Sequence, residues 1–340
     1  AYHTCAPDDA KAAGVASNPF ALYALRVESH SALSDAAQQH LLLSEVELAR
    51  KMHRQLPSRG PGFPPLLATF ADASAVTSVF GGRHVATLRR FLSLPDDASA
   101  APEPTGRGLG AAEARFALAC VATALGRLHG MRVLCRGVAS ASLLIDDAGY
   151  VVVASLRHGR EVASEAEQSY SLAGLPETMS PEMVRGEGHG FGTDWWATGA
   201  LAFELLRGHS PFVPVGTNGA DDLKIAQRIS EHVAGGLDFA SHASKEEAKA
   251  EEGLQDLAQK LMNPDAKARL GATSGFDEVR AHAAFEGIDW EALETGRLSS
   301  PLAQRVVDLA KGFAPPPDGG KDLPTFEESG ADIEWCSRLD

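Results

Sequence analysis

Histidine and cysteine, the side chains that most often bind metals or act as nucleophiles, show no spacing here that indicates a site. The twelve histidines are scattered and lack metal-ligand spacing. The four cysteines lie far apart without a C-x-x-C pair, at Cys5, Cys120, Cys135 and Cys336. Asp146 and Asp147 are adjacent carboxylates, but Asp147-Ala148-Gly149 separates two β-favouring runs and indicates a hairpin turn. We therefore expect no metal site.

Composition limits the classes of partner and compartment. The 340 residues carry a formal net charge of -14, which argues against general binding of nucleic acids or anionic membranes. No apolar run has membrane length and no signal peptide is visible. Unpaired cysteines are typical of a reducing compartment. We expect an intracellular protein of the cytoplasm, with the cytoskeleton, a cilium or an organelle as alternatives if the N-terminus is processed.

The chain is organised around one apolar stretch, residues 193–212, TDWWATGALAFELLRGHSPF. A helix that is apolar on all sides is buried, and this one is too short to span a bilayer. Thr193 and Asp194 are candidates for the N-cap. Gly208 is placed to end the helix, and Pro211 prevents it from resuming.

Shorter signals surround this helix. Strands are predicted at 20–27, 66–70, 75–80, 143–145 and 150–154, and helices at 35–53, 112–130 and 243–262, with a short helix through Leu92. Residues 156–176 resemble a polar loop, and residues 93–111 have linker composition. Beyond about residue 291 the chain is predicted to be irregular.

Several motifs match one known family. The segment DWWATGALAFELLRGHSPF resembles the central large-lobe helix of eukaryotic protein kinases, D-x-W-x-x-G-x-x-x-x-E-L-L-x-G-x-x-P-F. Ser180-Pro181-Glu182 looks like the A-P-E motif. Ala268-Arg269-Leu270-Gly271 resembles the later R-L-G segment of that family. HAAFEGIDWEAL at 282–293 and PTFEES around Phe326 are similar to cGMP-dependent protein kinase, in the AGC group.

This resemblance covers roughly residues 16–330 and implies an α+β, protein-kinase-like bilobal fold. The expected parts are a small β-rich N-lobe at 1–92, a flexible insert at 93–111, a helical C-lobe at 112–290 and an AGC-type C-terminal tail at 291–340. No G-x-G-x-x-G precedes Ala21, so the N-lobe is expected to lack the Gly-rich loop. The sequence begins at Ala1 without Met, and whether upstream residues supply that loop or cyclic-nucleotide-binding domains stays open.

The positions that carry phosphoryl transfer in this family hold other residue types here. The transfer needs a lysine on a strand, residues that hold the metal, and an aspartate that accepts the substrate proton. The resemblance places Arg26 at the lysine and Gly137 at that aspartate. It places Ser142 and Ser155 at the two metal ligands. Because Mg²⁺ prefers carboxylate oxygens, these residue types predict a pseudokinase, which is not an enzyme and has no catalytic residues.

Five further positions are expected to be structural: Glu45, Arg136, Glu182, Asp194 and Arg269. The resemblance implies that Glu45 pairs with Arg26 and that Glu182 pairs with Arg269. It also implies that Asp194 accepts hydrogen bonds from the backbone of the catalytic loop.

Ser171 occupies the site that is phosphorylated in the activation loop of active relatives. A phosphate there could pair with Arg136 and order the loop. The alternative is an unmodified loop serine.

Three functional hypotheses follow. The first is a structural or scaffolding subunit, or a protein-interaction module, of a larger assembly whose partners are other protein subunits. The second is a regulatory protein that binds a nucleotide without metal. The third is an unconventional Ser/Thr kinase with relocated metal ligands. Under the first hypothesis we expect no cofactor.

Overall fold

The computed structural model describes residues 2–5, 23–55, 61–72, 74–82, 84–93, 108–214, 221–239 and 245–312. Most of the predicted insert at 93–111 lies outside these residues, and so does the predicted tail beyond residue 312. The boundaries of those two parts stay predictions.

A four-stranded antiparallel sheet forms the smaller lobe. Its strands are β1 (Tyr2–Cys5), β2 (Tyr23–Ser29), β3 (Leu66–Ala71) and β4 (Ala75–Gly81), in the order β1-β2-β4-β3. The long helix α1 (Ala36–Gln55) packs on this sheet. Its residues Leu42 and Val46 share a buried apolar cluster with Val76 and Phe80. This packing holds α1, which carries Glu45, beside β2, which carries Arg26.

Two smaller antiparallel sheets follow, and the one that contains β5 connects the lobes. They contain β5 (His84–Thr87), β6 (Val133–Leu134), β7 (Leu143–Asp146), β8 (Val151–Val153) and β9 (Arg160–Glu161), in the orders β5-β7-β8 and β6-β9. The predicted hairpin is present, and its turn uses Gly149 at φ 82°. Strand β9 lies inside the predicted polar loop. It has only two residues, which is too short to show the alternation that identifies a strand.

The larger lobe is helical. Its described helices, with the short connecting helix α2, are α2 (Leu88–Leu92), α3 (Ala111–Gly130), α4 (Pro181–Val184), α5 (Gly192–Arg207), α6 (Asp222–Glu231), α7 (Lys245–Leu261), α8 (Phe276–Arg280), α9 (Trp290–Glu294) and α10 (Ala303–Gly312). Single 3-10 turns lie at Pro176–Thr178 and Ala283–Phe285. The architecture is therefore the expected one, a small sheet-rich lobe and a larger helical lobe.

Helix α5 is the predicted central helix, and it is buried between α3 and α7. Gly208 ends it in the left-handed conformation, at φ 74°. The predicted N-cap was wrong, because the helix begins at Gly192 and Phe191 is the N-cap residue. Asp194 lies in the first turn, and its carboxylate is used by a neighbouring loop instead.

The prediction of irregular structure beyond residue 291 was wrong for residues 303–312, which form α10. Leu302 and Val306 are buried, four positions apart, and this is helical spacing that the sequence contained. Arg305 lies over the ring of Phe91, 4.6 Å from its centroid. This part of the chain therefore belongs to the packed structure.

Every helix within the described ranges is too short or too polar to span a membrane.

Candidate functional site

The centre of the site is a buried ion pair between β2 and α1. The Arg26 guanidinium donates two hydrogen bonds to the Glu45 carboxylate, at 2.8 and 2.7 Å. Glu45 Oε1 also accepts from Ser155 Oγ at 2.7 Å and from the Leu156 backbone N–H at 2.9 Å. Arg26 and Glu45 are 7% and 2% exposed. The structure confirms the Arg26–Glu45 contact that the resemblance implied. Glu45 also binds the segment that follows β8.

A second ion pair lies beside the first. Arg157 Nη1 contacts both oxygens of Glu28, at 2.7 and 2.6 Å. Arg157 Nη2 donates to Gln38 Oε1 at 3.0 Å, and Arg26 Nε lies 3.6 Å from Glu28. Two guanidinium groups and two carboxylates therefore form one connected cluster.

Glu28 and Gln38 were not among the residues expected at this site. The available signal was the period of a strand, since residues two apart on β2 lie on the same face and Glu28 follows Arg26 by two. That period places Glu28 on the same face of β2 as Arg26, but it does not identify Arg157 as the partner of Glu28.

Gly137 and Ser142 lie in the loop between β6 and β7. The Ser142 hydroxyl donates to the carbonyl oxygen of Gly137, and it lies 3.0 Å from the carbonyl oxygen of Ala139. Gly137 has no side chain to accept a proton. The Ser142 hydroxyl thus serves the local turn of the loop.

Asp194 positions this loop from the buried start of α5. Its carboxylate accepts from the backbone N–H groups of Cys135, at 2.9 Å, and Arg136, at 2.7 Å. His129 Nε2 lies 2.8 Å from the same carboxylate. Arg136 has φ 53°, a conformation that is costly for a residue with a side chain. The bonds from Asp194 help to hold that conformation.

Arg136 connects this loop to the predicted activation segment. Its Nε donates to the His158 carbonyl at 2.7 Å, and its Nη1 donates to the hydroxyls of Ser169, at 3.1 Å, and Ser171, at 2.8 Å. Arg160 Nη1 also donates to Ser169, at 3.2 Å. Ser169 is buried, whereas Ser171 is exposed.

An open cavity of about 500 Å³ adjoins these arginines, between α1 and β9. Leu41 and Leu48 form part of its wall, and Lys51, Arg136 and Arg160 bring positive charge to it.

Glu182 and Arg269 form another buried ion pair, which lies within the larger lobe. Two bonds join them, at 2.7 and 2.9 Å, and Arg269 also donates to the Gly192 carbonyl at 2.8 Å. Burial acts to raise the pKa of Glu182, but the hydrogen bonds and charge of Arg269 hold that pKa below its ordinary value. The Arg269 guanidinium also lies over the ring of Trp196, 5.2 Å from the centroid. The pair ties α4 to the start of α5.

The sequence of this chain is similar to those of known proteins. A family model for the protein kinase domain matches residues 83–281, more than half of the chain. The chain belongs to the protein kinase family.

Three relatives illustrate the similarity of this kinase domain to curated proteins. Protein kinase 3 of Dictyostelium discoideum is 29% identical over 206 residues, which are 58% of this chain and 21% of that protein. Human cGMP-dependent protein kinase 2 is 25% identical over 321 residues, 92% of this chain and 37% of its own length. The human cAMP-dependent protein kinase catalytic subunit PRKX is 30% identical over 193 residues, 56% of this chain and 49% of that protein.

These relatives confirm the AGC group and the bilobal kinase-like fold that the motifs implied. The chain spans between 21% and 49% of the length of these relatives.

The prediction that the chain is not an enzyme is contradicted by these comparisons. The matched family is that of the protein kinase domain, and all three relatives are named as protein kinases or as a catalytic subunit of one. Phosphoryl transfer rests on positioning and electrostatic stabilisation that many groups share. The residue types at Arg26, Gly137, Ser142 and Ser155 were therefore not sufficient evidence that the chain lacks enzymatic activity.

The two residues that the resemblance places at the metal-ligand positions do not fit a magnesium ion. Mg²⁺ in kinase sites is usually held through one or two carboxylates. Ser142 and Ser155 offer only hydroxyls, and these donate to carbonyl oxygens of their own loop and to Glu45. Among the described residues no group of three or more His, Cys, Asp or Glu side chains could hold a metal. No reaction step through a metal at these two positions follows from the geometry.

Proposed function

We propose that this kinase domain acts as a structural or scaffolding subunit of a larger assembly, or as a protein-interaction module within one, with other protein subunits as partners. One observation carries the proposal. The charged side chains between the lobes, Arg26, Glu28, Glu45 and Arg157, are bonded to one another. An arrangement held by the chain's own charges presents a constant surface to a partner, which lowers the cost of ordering on binding.

The predicted activation segment offers a surface of suitable chemistry. Tyr170 and Leu172 are each 69% exposed and flank Ser171, which Arg136 holds. Aromatic residues are enriched in the cores of protein interfaces. Two large apolar side chains on an anchored segment therefore favour this face as a contact site.

The test measures the native size of the tagged full-length protein in extracts of its own cells. We expect it to migrate with other proteins in a defined assembly, and we expect Y170S/L172S to be released from it. L67S is the matched control, because Leu67 is 39% exposed on β3 of the other lobe. Migration of the wild-type protein alone, or equal release of both variants, would contradict the proposal.

A phosphotransfer assay distinguishes a scaffolding role from phosphoryl transfer, the reaction of protein kinases. The purified full-length protein is incubated with labelled ATP, Mg²⁺ and a mixture of protein substrates. Sustained transfer by a protein that forms no assembly would assign phosphoryl transfer as its function in place of binding.

Metal-independent binding of a nucleotide is the second candidate. It is favoured by the guanidinium groups of Arg26 and Arg157, which lie together at Glu28 and could be shared with an anion. Thermal unfolding with millimolar ATP, with and without Mg²⁺, tests it. Ligand at about 100 times its dissociation constant stabilises by about 2.7 kcal/mol. A shift without Mg²⁺ supports this candidate. No shift, or a shift that requires Mg²⁺, rejects it.

We also propose that Ser171 is phosphorylated. Its hydroxyl is exposed and lies 2.8 Å from Arg136 Nη1, so a phosphate there could form charge-assisted bonds. Phosphopeptide mapping of the protein from its own cells tests this proposal. A fully unmodified Ser171 under all growth conditions would reject it.

We propose an intracellular, reducing location for the same protein, with the cytoplasm as the first expectation. Its support is that Cys120 and Cys135 are free thiols in the buried core. Fluorescence microscopy of the tagged full-length protein tests the location, and secretion of the protein would reject it.

A further inference from the structure

Two links connect β2, α1 and the segment after β8. The first is the Arg26–Glu45 pair, with the bonds from Ser155 and Leu156 to Glu45. The second consists of Glu28, Arg157 and Gln38. We propose that this second link, here termed the latch, is a conformational device that holds α1 against the larger lobe without any bound ligand.

The geometry places the latch across three elements. Glu28 is on β2, Gln38 is near the start of α1, and Arg157 follows β8. Arg157 bonds to both oxygens of Glu28 and to Gln38 Oε1, within 2.6 to 3.0 Å. A guanidinium has a planar fork of donors, so one side chain can bond to two partners in a fixed orientation. Arg157 thus joins the larger lobe to the sheet and to the helix at once.

Charge balance allows the latch to hold without outside ions. Arg26 and Arg157 carry two positive charges, Glu28 and Glu45 carry two negative charges, and all four groups are in contact. The side chains of Arg157 and Glu28 are only 18% and 19% exposed. Partly buried pairs are screened by salt less than exposed pairs are.

The first link does not make the second redundant. Glu45 bonds to Ser155 and Leu156 from the middle of α1, whereas Gln38 lies two turns earlier, near the start of the helix. Contacts separated along a helix fix its direction more firmly than contacts at one point, and the bond to Gln38 is the one near the start of α1. Loss of the latch is therefore expected to loosen the start of α1 before its middle.

The inference deepens the proposed function, because a partner surface that includes α1 requires α1 to stay in one place. Its test does not measure partner binding, so failure of one proposal can be told from failure of the other.

Hydrogen exchange of the purified full-length protein, without nucleotide, tests the latch. The variants are E28Q, R157Q and E28Q/R157Q. We expect backbone amides of residues 39–46 to exchange about tenfold faster in each single variant, since a bond to a charged group is lost. The double variant is expected to match R157Q, because R157Q already removes the Glu28–Arg157 pair that E28Q removes.

The Lys51–Glu161 pair supplies a matched control. It also joins α1 to the larger lobe, at 2.7 Å, but its side chains are 30% and 58% exposed. We expect K51Q to change exchange of the same amides less than about twofold, since exposed pairs contribute little.

Two results would overturn the proposal. One is unchanged exchange of residues 39–46 in E28Q and R157Q, and the other is an equal acceleration in K51Q. If R157Q does not fold, R157K replaces it. Lysine keeps the charge but cannot form the forked contact, so R157K is expected to give a smaller acceleration, and unchanged exchange in both R157K and E28Q would reject the latch.

Discussion

At the scale of single residues, His189 shows how burial next to charge sets a protonation state. Its side chain is buried, and its backbone pairs with Ser169 in both directions. Burial lowers the pKa of His189 to about 4, and the positive charge of Arg136 acts in the same direction. Glu182 and Asp194 oppose this shift but do not cancel it. The imidazole is therefore neutral in the folded protein at neutral pH.

The first prediction concerns the pH dependence of stability. Between the ordinary histidine pKa of 6.5 and about 4, the unfolded chain binds a proton at His189 that the folded chain does not bind. The contribution of neutral His189 to the free energy of unfolding is therefore fully present above pH 6.5, and it is lost as the pH is lowered towards 4. H189Q should remove this loss, which is about 3 kcal/mol between pH 7 and pH 4 because one pKa unit corresponds to about 1.4 kcal/mol. Urea unfolding at pH 7, 6, 5 and 4 measures it.

His53 provides the control, because it is exposed at the end of α1. H53Q should show the wild-type dependence. If H189Q also follows the wild-type curve over this range, His189 is not the residue responsible.

At the scale of elements, α5 and α7 approach each other closely because Gly199 has no side chain. A Cβ atom at Gly199 would lie 2.6 Å from Met262 Cγ and 3.1 Å from the Ala258 carbonyl oxygen. Met262 directly follows α7, and Ala258 lies in its last turn. A glycine inside a helix costs stability, so its presence here is explained by the contact between helices.

The second prediction is that G199A destabilises the protein despite the better helix propensity of alanine. Overpacking costs about 1–3 kcal/mol, and the gain in propensity offsets about 1 kcal/mol of it. A lower urea midpoint without a change of slope would show this result.

Gly130 is the matched control, since it ends α3 and a Cβ there would meet nothing within 4 Å. G130A should leave the midpoint unchanged or raise it slightly. If both variants have the same midpoint as the wild type, α5 and α7 can separate to accept a methyl group.

At the scale of the whole molecule, the segment that leads into α10 contacts residues about 150 positions earlier in the sequence. The Tyr150 hydroxyl donates to the Leu298 carbonyl at 2.6 Å, and the Ser300 hydroxyl donates to the Gly149 carbonyl at 2.8 Å. Leu302 is completely buried. This segment is therefore fastened to the β7–β8 turn, beside the sheet that connects the lobes.

The third prediction is that L302A lowers the free energy of unfolding by about 2–4 kcal/mol, because it leaves a cavity in the core. V307A should cost less than about 1 kcal/mol, because substitutions at exposed positions have small effects and Val307 is 47% exposed. Denaturant unfolding of both variants gives the comparison. Equal losses would show that the buried side chain of Leu302 contributes no specific packing.

The central helix, the hairpin at Gly149 and the family were all predictable from the order of the residues. The reason is that each of these is local: α5 is apolar on all sides, the turn residues are adjacent, and the kinase motifs are short runs in a set order. Motif positions also implied the two pairs Arg26–Glu45 and Glu182–Arg269, which the structure brings into contact.

The partners of the remaining charged side chains depend on how the two lobes pack. Glu28 and Arg157 are 129 positions apart, and Asp194 bonds to a loop 58 positions away rather than to its own helix end. No local period carries such pairings, because they depend on which surfaces the packed lobes bring together. The same holds for β9, whose two residues form a strand only because β6 lies beside them.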